Sequence, residues 1–276
     1  MASQPLKVQG HRGARAIWPE NTLRGFEYAI EVGVDGIELD LAVTGDGHVV
    51  VTHDLKLNPK RVLNERGQRL TKTVPVRALS LAELTTYDVG SIRHPKFPSQ
   101  NLCPGARIPT LVEVIGLIQR STTPTAKTLQ LNLEFKSVPA ATDLGPAPSD
   151  YVDLVLGILK TCGFTDRCIF QSFDHRILQE IKKRNADLPI SPLIAGTFPD
   201  LKAMALHLGA KSVSPEWGWF TAQVVRELHQ SDIQVVTWTV NEPREWQLLL
   251  DMGVDVAITD DPEALIRYLS RTQNSF

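Results

Sequence analysis

The chain is 276 residues long, 42% hydrophobic, and carries 29 basic against 31 acidic side chains for a formal net charge of −2. That length suits one α/β barrel of about 250 residues or two average domains; the even charge argues against a nucleic-acid partner, which calls for a basic surplus. No apolar run approaches the ~20 residues of a spanning helix, so no transmembrane segment is expected.

Cys103, Cys162 and Cys168 make neither a C-x-x-C pair nor an even set, which fits idle thiols in a reducing compartment. The opening Met-Ala-Ser-Gln-Pro-Leu-Lys lacks the apolar core of roughly 7–15 residues that a secretory leader needs. A cytoplasmic location is therefore expected.

In chain order, Leu6 to Gly10 reads as a short strand ending at His11. Asn21 or Thr22 can cap the next helix, where Leu23, Phe26, Ile30 and Val34 recur at helical spacing. Gly33 and Gly36 lead into a strand from Ile37 to Thr44 with clear period two. Gly45-Asp46-Gly47 signals a turn, and His48 to Thr52 is the returning strand, closed by His53-Asp54. From about 55 to 107 the rhythm breaks at Pro59, Pro75, Pro95, Pro98 and Pro104, with one weak helix where Ser80 caps Leu81 to Leu84. This span reads as an insertion subdomain. Thr110 then caps a helix striped by Leu111, Val114, Ile115 and Ile118.

Strand and helix alternate from there. Strands are expected at 129–136, 168–173, 189–195, 211–215, 234–240 and 254–259, and helices at 151–162, 177–185, 198–208, 221–231, 243–252 and 262–269. Eight strands with an associated helix imply an α/β fold, a TIM (β/α)8 barrel with a small insertion after the second strand. The whole of 1–276 is then a single barrel domain. A doubly wound open sheet competes, but no G-x-G-x-x-G loop follows any strand.

The strand polarity carries the chemistry. Glu38 and Asp40 share one face, about 6.5–7 Å apart, and Glu134 and Lys136 repeat the pattern. An antiparallel strand with a wet face would look the same. In a barrel, however, apolar side chains face the helices and the polar face turns into the lumen. Three carboxylates meeting at one mouth would take up protons unless a cation joined them. Glu38, Asp40 and Glu134 are therefore candidate ligands of a divalent cation, Mg2+ or Ca2+. Arg12 and Lys136 would offset the negative charge of a bound phosphodiester, Arg12 with a fork suited to phosphate oxygens; Lys136 in a surface ion pair is the alternative. His11 and His53, each beside a charged residue, are candidates for proton transfer. Glu20 and Asn21 either start a helix or orient His11 or a metal ligand. His48, His94, His175, His207 and His229 read as structural or surface residues.

The runs HRGARAIWPENT, GIELDLAVTGDGHVVVTHD and LEFK, with later QSFD, TWTVN and ITDDP, closely resemble the glycerophosphodiester phosphodiesterase family, part of the phosphatidylinositol-phospholipase-C-like superfamily. The resemblance implies metal-dependent hydrolysis of a small-molecule glycerophosphodiester to glycerol 3-phosphate and an alcohol. It also implies that His11 and His53 are the general acid/base pair and that Trp238 lines the substrate cavity. Two alternatives stand beside it. One is a lysophospholipase D-type enzyme, with the aromatic run Glu216 to Phe220 near an acyl chain. The other is a non-catalytic phosphate-binding barrel.

Overall fold

The eight strand patterns that alternate with helices become the strands of one closed sheet. The computed structural model describes residues 5–273. β1 (Lys7–His11), α1 (Leu23–Val32), β2 (Gly36–Val43) and β3 (Val49–Val51) come first, followed by the insertion elements β4 (Lys56–Leu57), β5 (Val74–Pro75) and α2 (Leu81–Leu84). Then come α3 (Leu111–Arg120), β6 (Gln130–Phe135), α4 (Pro148–Thr161), β7 (Cys168–Ser172), α5 (His175–Arg184), β8 (Ile190–Ile194) and α6 (Leu201–Leu208). The chain continues with β9 (Ser212–Pro215), α7 (Ala222–His229), β10 (Gln234–Thr237), α8 (Pro243–Met252), β11 (Val256–Thr259) and α9 (Pro262–Gln273). Strands β1, β2, β6, β7, β8, β9, β10 and β11 pair in parallel, and β1 also pairs with β11, so the sheet is a closed eight-stranded (β/α)8 barrel.

The two faces of each strand divide as the alternation predicts. Ile37, Leu39 and Leu41 are fully buried in the same outer core as Phe26, Ala29 and Ile30 of α1 and Ile115 of α3. A fully buried Leu, Ile or Phe contributes about 1.5–3 kcal/mol relative to exposure, so this layer holds the barrel closed. The lumen is mixed. Asn132 Nδ2 donates to Gln9 Oε1 at 3.0 Å, Ser191 and Ser214 share a 2.8 Å hydrogen bond, and Val236, Val256 and Ile258 make an apolar cluster on the β10–β11 side.

Local signals set the helix starts. Thr22, not Asn21, caps α1 by accepting from the Gly25 amide, and Thr110 with Glu113 makes a capping box at α3. Three helix starts lie two or three residues from where the periodicity puts them. α4 begins at Pro148, because proline fits the first helical turn, where no amide donor is needed. α5 begins at His175 behind the Asp174 cap, and α6 begins only at Leu201, because Asp200 caps it through the Ala203 amide.

Residues 55–107 do not stand apart from the barrel. Leu57, Val62, Val76, Leu84 and Ile108 form a second apolar cluster with Ala42 of β2 and Val50 of β3. The antiparallel β4–β5 pair and α2 are thereby fixed to the β2–β3 hairpin at the barrel rim. Among the described residues no helix is long and apolar enough to cross a membrane. The three cysteines are unpaired, and burial pushes the Cys168 thiol up to about 12.

Candidate active site

Strand register gathers the polar residues. His11 lies level with Glu38 across β1 and β2. Asp40 lies level with Glu134 across β2 and β6, and Glu134 with Gln171 across β6 and β7. Side chains at one register position on neighbouring strands share a face about 4.8 Å apart. Glu38, Asp40 and Glu134 accordingly offer carboxylate oxygens within 4.8 Å of one another, all three residues buried. The antiparallel return of β3, with the Thr52 amide on the Asp40 carbonyl at 2.9 Å, brings His53 back to the same end of the barrel.

The segment after β1 is shaped by close approach. Gly13 has φ +91°, and a Cβ there would meet the Gly25 backbone at 2.9 Å, so α1 can cross only above a glycine. Arg12 itself sits in the left-handed region at φ 51°, a conformation that costs a non-glycine residue about 1–3 kcal/mol. Its amide donates to Glu38 Oε2 at 3.0 Å, and its guanidinium reaches Glu20 Oε1 and Asp40 Oδ2, each at 3.2 Å. Asn21, also left-handed, donates from its amide to Asp40 Oδ2 at 2.8 Å. Lys136 Nζ lies 2.6 Å from Glu134 Oε1 and 3.6 Å from Asp40 Oδ1.

The two histidines are held alike. His11 Nδ1 is 2.7 Å from Asp260 Oδ1 and His53 Nδ1 is 2.8 Å from Asp54 Oδ1. In each case the carboxylate fixes the ring and leaves Nε2 for other partners; His11 Nε2 lies 3.8 Å from Glu38 Oε2. Both rings line one cleft of about 640 Å³ with Arg12, Glu38, Glu134 and Lys136, opposite an apolar wall that includes Phe173, Leu193 and Trp238. Trp238 donates its indole N–H to the Ser214 carbonyl at 2.9 Å and meets Phe173 edge-on at 5.6 Å.

Burial and crowding split the acids. Burial, then the charges of Asp40 and Glu134, push Glu38 well above the ordinary carboxylate range. Burial and then Asp40 raise Glu134. Asp40 is buried too, yet Arg12 and then Lys136 hold it well below that range. Burial, reinforced by Arg12 and opposed by Asp260, lowers His11 to about 4. A trio in which two members resist ionisation, and in which Asp40 Oδ1 is buried without a hydrogen-bond partner, fits a hard divalent cation.

All ten residues singled out from the sequence meet around this end of the barrel, Glu20 and Asn21 from behind Arg12 and Asp40. The aromatic run borders them: Glu216 bridges to Trp238 and the Trp217 amide donates to the Trp238 carbonyl at 3.0 Å, while Trp217 also packs on the outer core and Trp219 is half exposed. Four participants went unread. Asp260, at the end of β11, accepts from Arg15 Nε at 2.8 Å and from Asn241 Nδ2 at 2.9 Å besides meeting His11. Arg61, inside the insertion, reaches Glu20 and Asp54. The only sequence signal for Asp260, Asn241 and Arg15 was their place in ITDDP, TWTVN and HRGARAIWPENT; Arg61 had none. Asp260→Asn is expected to cost about 10–100-fold in turnover by loosening His11, the usual effect of losing an orienting partner. Steady-state kinetics at unchanged melting temperature would check it, and wild-type kcat would refute it.

The chain matches the sequence profile of the glycerophosphoryl diester phosphodiesterase family over residues 11–264. It is 33% identical over 264 residues to a glycerophosphodiester phosphodiesterase of Caldanaerobacter subterraneus subsp. tengcongensis, covering 96% of this chain and 98% of the relative. A crystal structure of a Silicibacter pomeroyi DSS-3 protein assigned as a glycerophosphoryl diester phosphodiesterase superposes with a TM-score of 0.90 at 32% identity, over 99% of this chain and 95% of that one. An Oleispira antarctica phosphodiesterase, solved in complex with the product sn-glycerol-3-phosphate, has the same fold at a TM-score of 0.79 and 23% identity, over 96% of each chain.

Proposed function

The chain belongs to the glycerophosphoryl diester phosphodiesterase family and is a phosphoric diester hydrolase, and from that premise we propose a divalent-cation-dependent, two-histidine route to glycerol 3-phosphate and a free alcohol. The observation that carries this reading is the in-register trio of Glu38, Asp40 and Glu134, sharing one cleft with His11 and His53. The Oleispira enzyme's bound product supports a glycerol phosphate in a barrel of this shape.

Glu38, Asp40 and Glu134 would hold Mg2+ or Ca2+. Such a cation supplies Lewis-acid polarisation of a phosphoryl oxygen. A divalent ion with three carboxylates carries −1 and a phosphodiester a further −1; Arg12 and Lys136 supply +2 and bring the occupied site close to neutrality. Arg12 offers phosphate oxygens a planar fork, Lys136 a point charge. Glu20 and Asn21 keep Arg12 and Asp40 in place from behind. One imidazole takes the proton of the attacking oxygen as it bonds to phosphorus. The other gives a proton to the alkoxide as its bond to phosphorus breaks. Trp238, with Phe173, walls the cavity on its apolar side.

One catalytic unit spans the chain, with residues 55–107 as its accessory segment. The free thiols support a cytoplasmic site of action.

A substrate panel tests the reading. Glycerophosphocholine, glycerophosphoethanolamine and a lysophospholipid are each assayed with Mg2+, Ca2+ and chelator. Glycerol 3-phosphate should appear from the deacylated diesters with metal and not with chelator. Turnover of the lysophospholipid alone would move the assignment to a lysophospholipase D, and no turnover of any substrate would leave a phosphate-binding barrel.

A further inference from the structure

We infer that Arg61, carried by the insertion, is a positioning residue for His53 and Arg12, acting through two carboxylates; the inference rests on the hydrolase reading above. Arg61 Nη2 donates to Asp54 Oδ2 at 2.5 Å, and Nη1 donates to Glu20 Oε1 at 2.9 Å. Each carboxylate has a second client. Asp54 Oδ1 meets His53 Nδ1 at 2.8 Å, and Glu20 Oε1 meets Arg12 Nη1 at 3.2 Å. One guanidinium therefore ties the loop after β3, which bears a proton-transfer residue, to the loop after β1, which bears the phosphate-binding arginine.

The clamp is anchored. Arg61 lies between Leu57 and Val62, both buried in the second apolar cluster, and its turn is closed by the Arg61 and Val62 amides on the Asn58 carbonyl at 2.9 and 3.1 Å. Its own side chain is 23% exposed, against 17% for Glu20 and 31% for Asp54. Such partly buried, charge-assisted hydrogen bonds are stronger than exposed ones, and the planar guanidinium spends one N–H on each of the two carboxylates in a pre-organised fork. Without Arg61, Asp54 loses the partner that fixes its plane. His53 then loses its orientation, since the imidazole follows the group bonded to Nδ1. The insertion thereby acquires a role in the chemistry, as the segment that sets the angle of one catalytic ring.

A cavity of about 610 Å³ lies against the clamp, with Glu20, His53, Asp54 and Arg61 among its lining residues. That space makes a decisive experiment available, because a small cation can enter where the side chain has been removed. Arg61→Ala is expected to lower kcat on glycerophosphocholine about 10–100-fold, with a smaller change in KM and an unchanged melting temperature. Millimolar guanidinium, far below denaturing concentrations, should restore part of the lost rate in Arg61→Ala and none in the wild type. Arg61→Lys should recover less than guanidinium does, since one ammonium cannot bridge both carboxylates in one plane. Unchanged kcat, or a fall matched by lost stability and untouched by guanidinium, would overturn the inference. Should the wild type prove inactive on the whole substrate panel, the hydrolase reading fails separately. The clamp is then read from the 15N spectrum of His53: a dominant Nδ1–H tautomer in wild type that gives way to a mixture in Arg61→Ala supports it, and identical spectra refute it.

Discussion

Replacing His53 by alanine is expected to lower turnover by about 10²–10⁴-fold, and replacing His11 by alanine to do the same, the range that one positioned proton-transfer group supplies. Both rings face one cleft, and each has its Nδ1 edge engaged by a carboxylate at 2.7 or 2.8 Å. His11 also turns its second nitrogen toward the acidic cluster, 3.8 Å from Glu38 Oε2, which a merely structural ring has no reason to do. His11 is 8% exposed, so its loss also leaves Asp260 with one partner fewer. Asn241 and Arg15 still hold that carboxylate, which limits any effect on stability. The double variant gives the sharper result. Groups that act as a unit are strongly non-additive, so His11→Ala with His53→Ala should be little slower than the slower single variant. Near-wild-type kcat in either single variant would end the acid/base assignment, and multiplied losses in the double would mean that the two rings serve different steps.

The second large effect concerns the acidic trio. Chelation is expected to abolish turnover and to lower the melting temperature, with saturating Mg2+ or Ca2+ restoring both. A ligand bound only by the folded state at 100 times its Kd stabilises by about 2.7 kcal/mol. At roughly 2–4 °C per kcal/mol for a chain approaching this size, the shift is about 5–10 °C. Glu38→Gln separates the cation from other causes by its sign. Glu38 is pushed up by burial and by the charges of Asp40 and Glu134, so removing its charge relieves repulsion in the metal-free protein. The variant should melt no lower than metal-free wild type, yet lose the metal-induced shift and nearly all turnover. A shift that survives in Glu38→Gln would place the cation elsewhere.

The barrel was legible because its signals are local. Alternation of Ile37, Leu39 and Leu41 with Glu38 and Asp40 gives both the strand and its inward face, and the same pattern at Leu131, Leu133 and Phe135 gives Glu134. Register was not legible. Nothing in a run of residues says that Asp40 lies level with Glu134; that follows from how neighbouring strands slide to bury their outer faces. Partners from distant segments were equally hidden. Asp260 is 249 positions from His11, and Arg61 is 41 from Glu20. Arg61 lies where proline and charge mask any periodicity, and its importance depends wholly on the neighbours the fold supplies. The late start of α6 was missed for a smaller reason: Asp200 interrupts an apolar pattern that continues on both sides of it.

The hydrogen bond between His11 and Asp260 joins the first strand to the last, and β1 and β11 are paired along Lys7 to Gly10. Synthesis delivers the two ends of that seam at opposite moments. A growing chain that has already displayed both histidines and all three clustered acids still lacks the carboxylate that holds the first imidazole, and β1 still waits for its second neighbour. Activity is thus tied to the completion of the ring, and a protein halted before β11 would carry most of the chemistry with no means of aligning it.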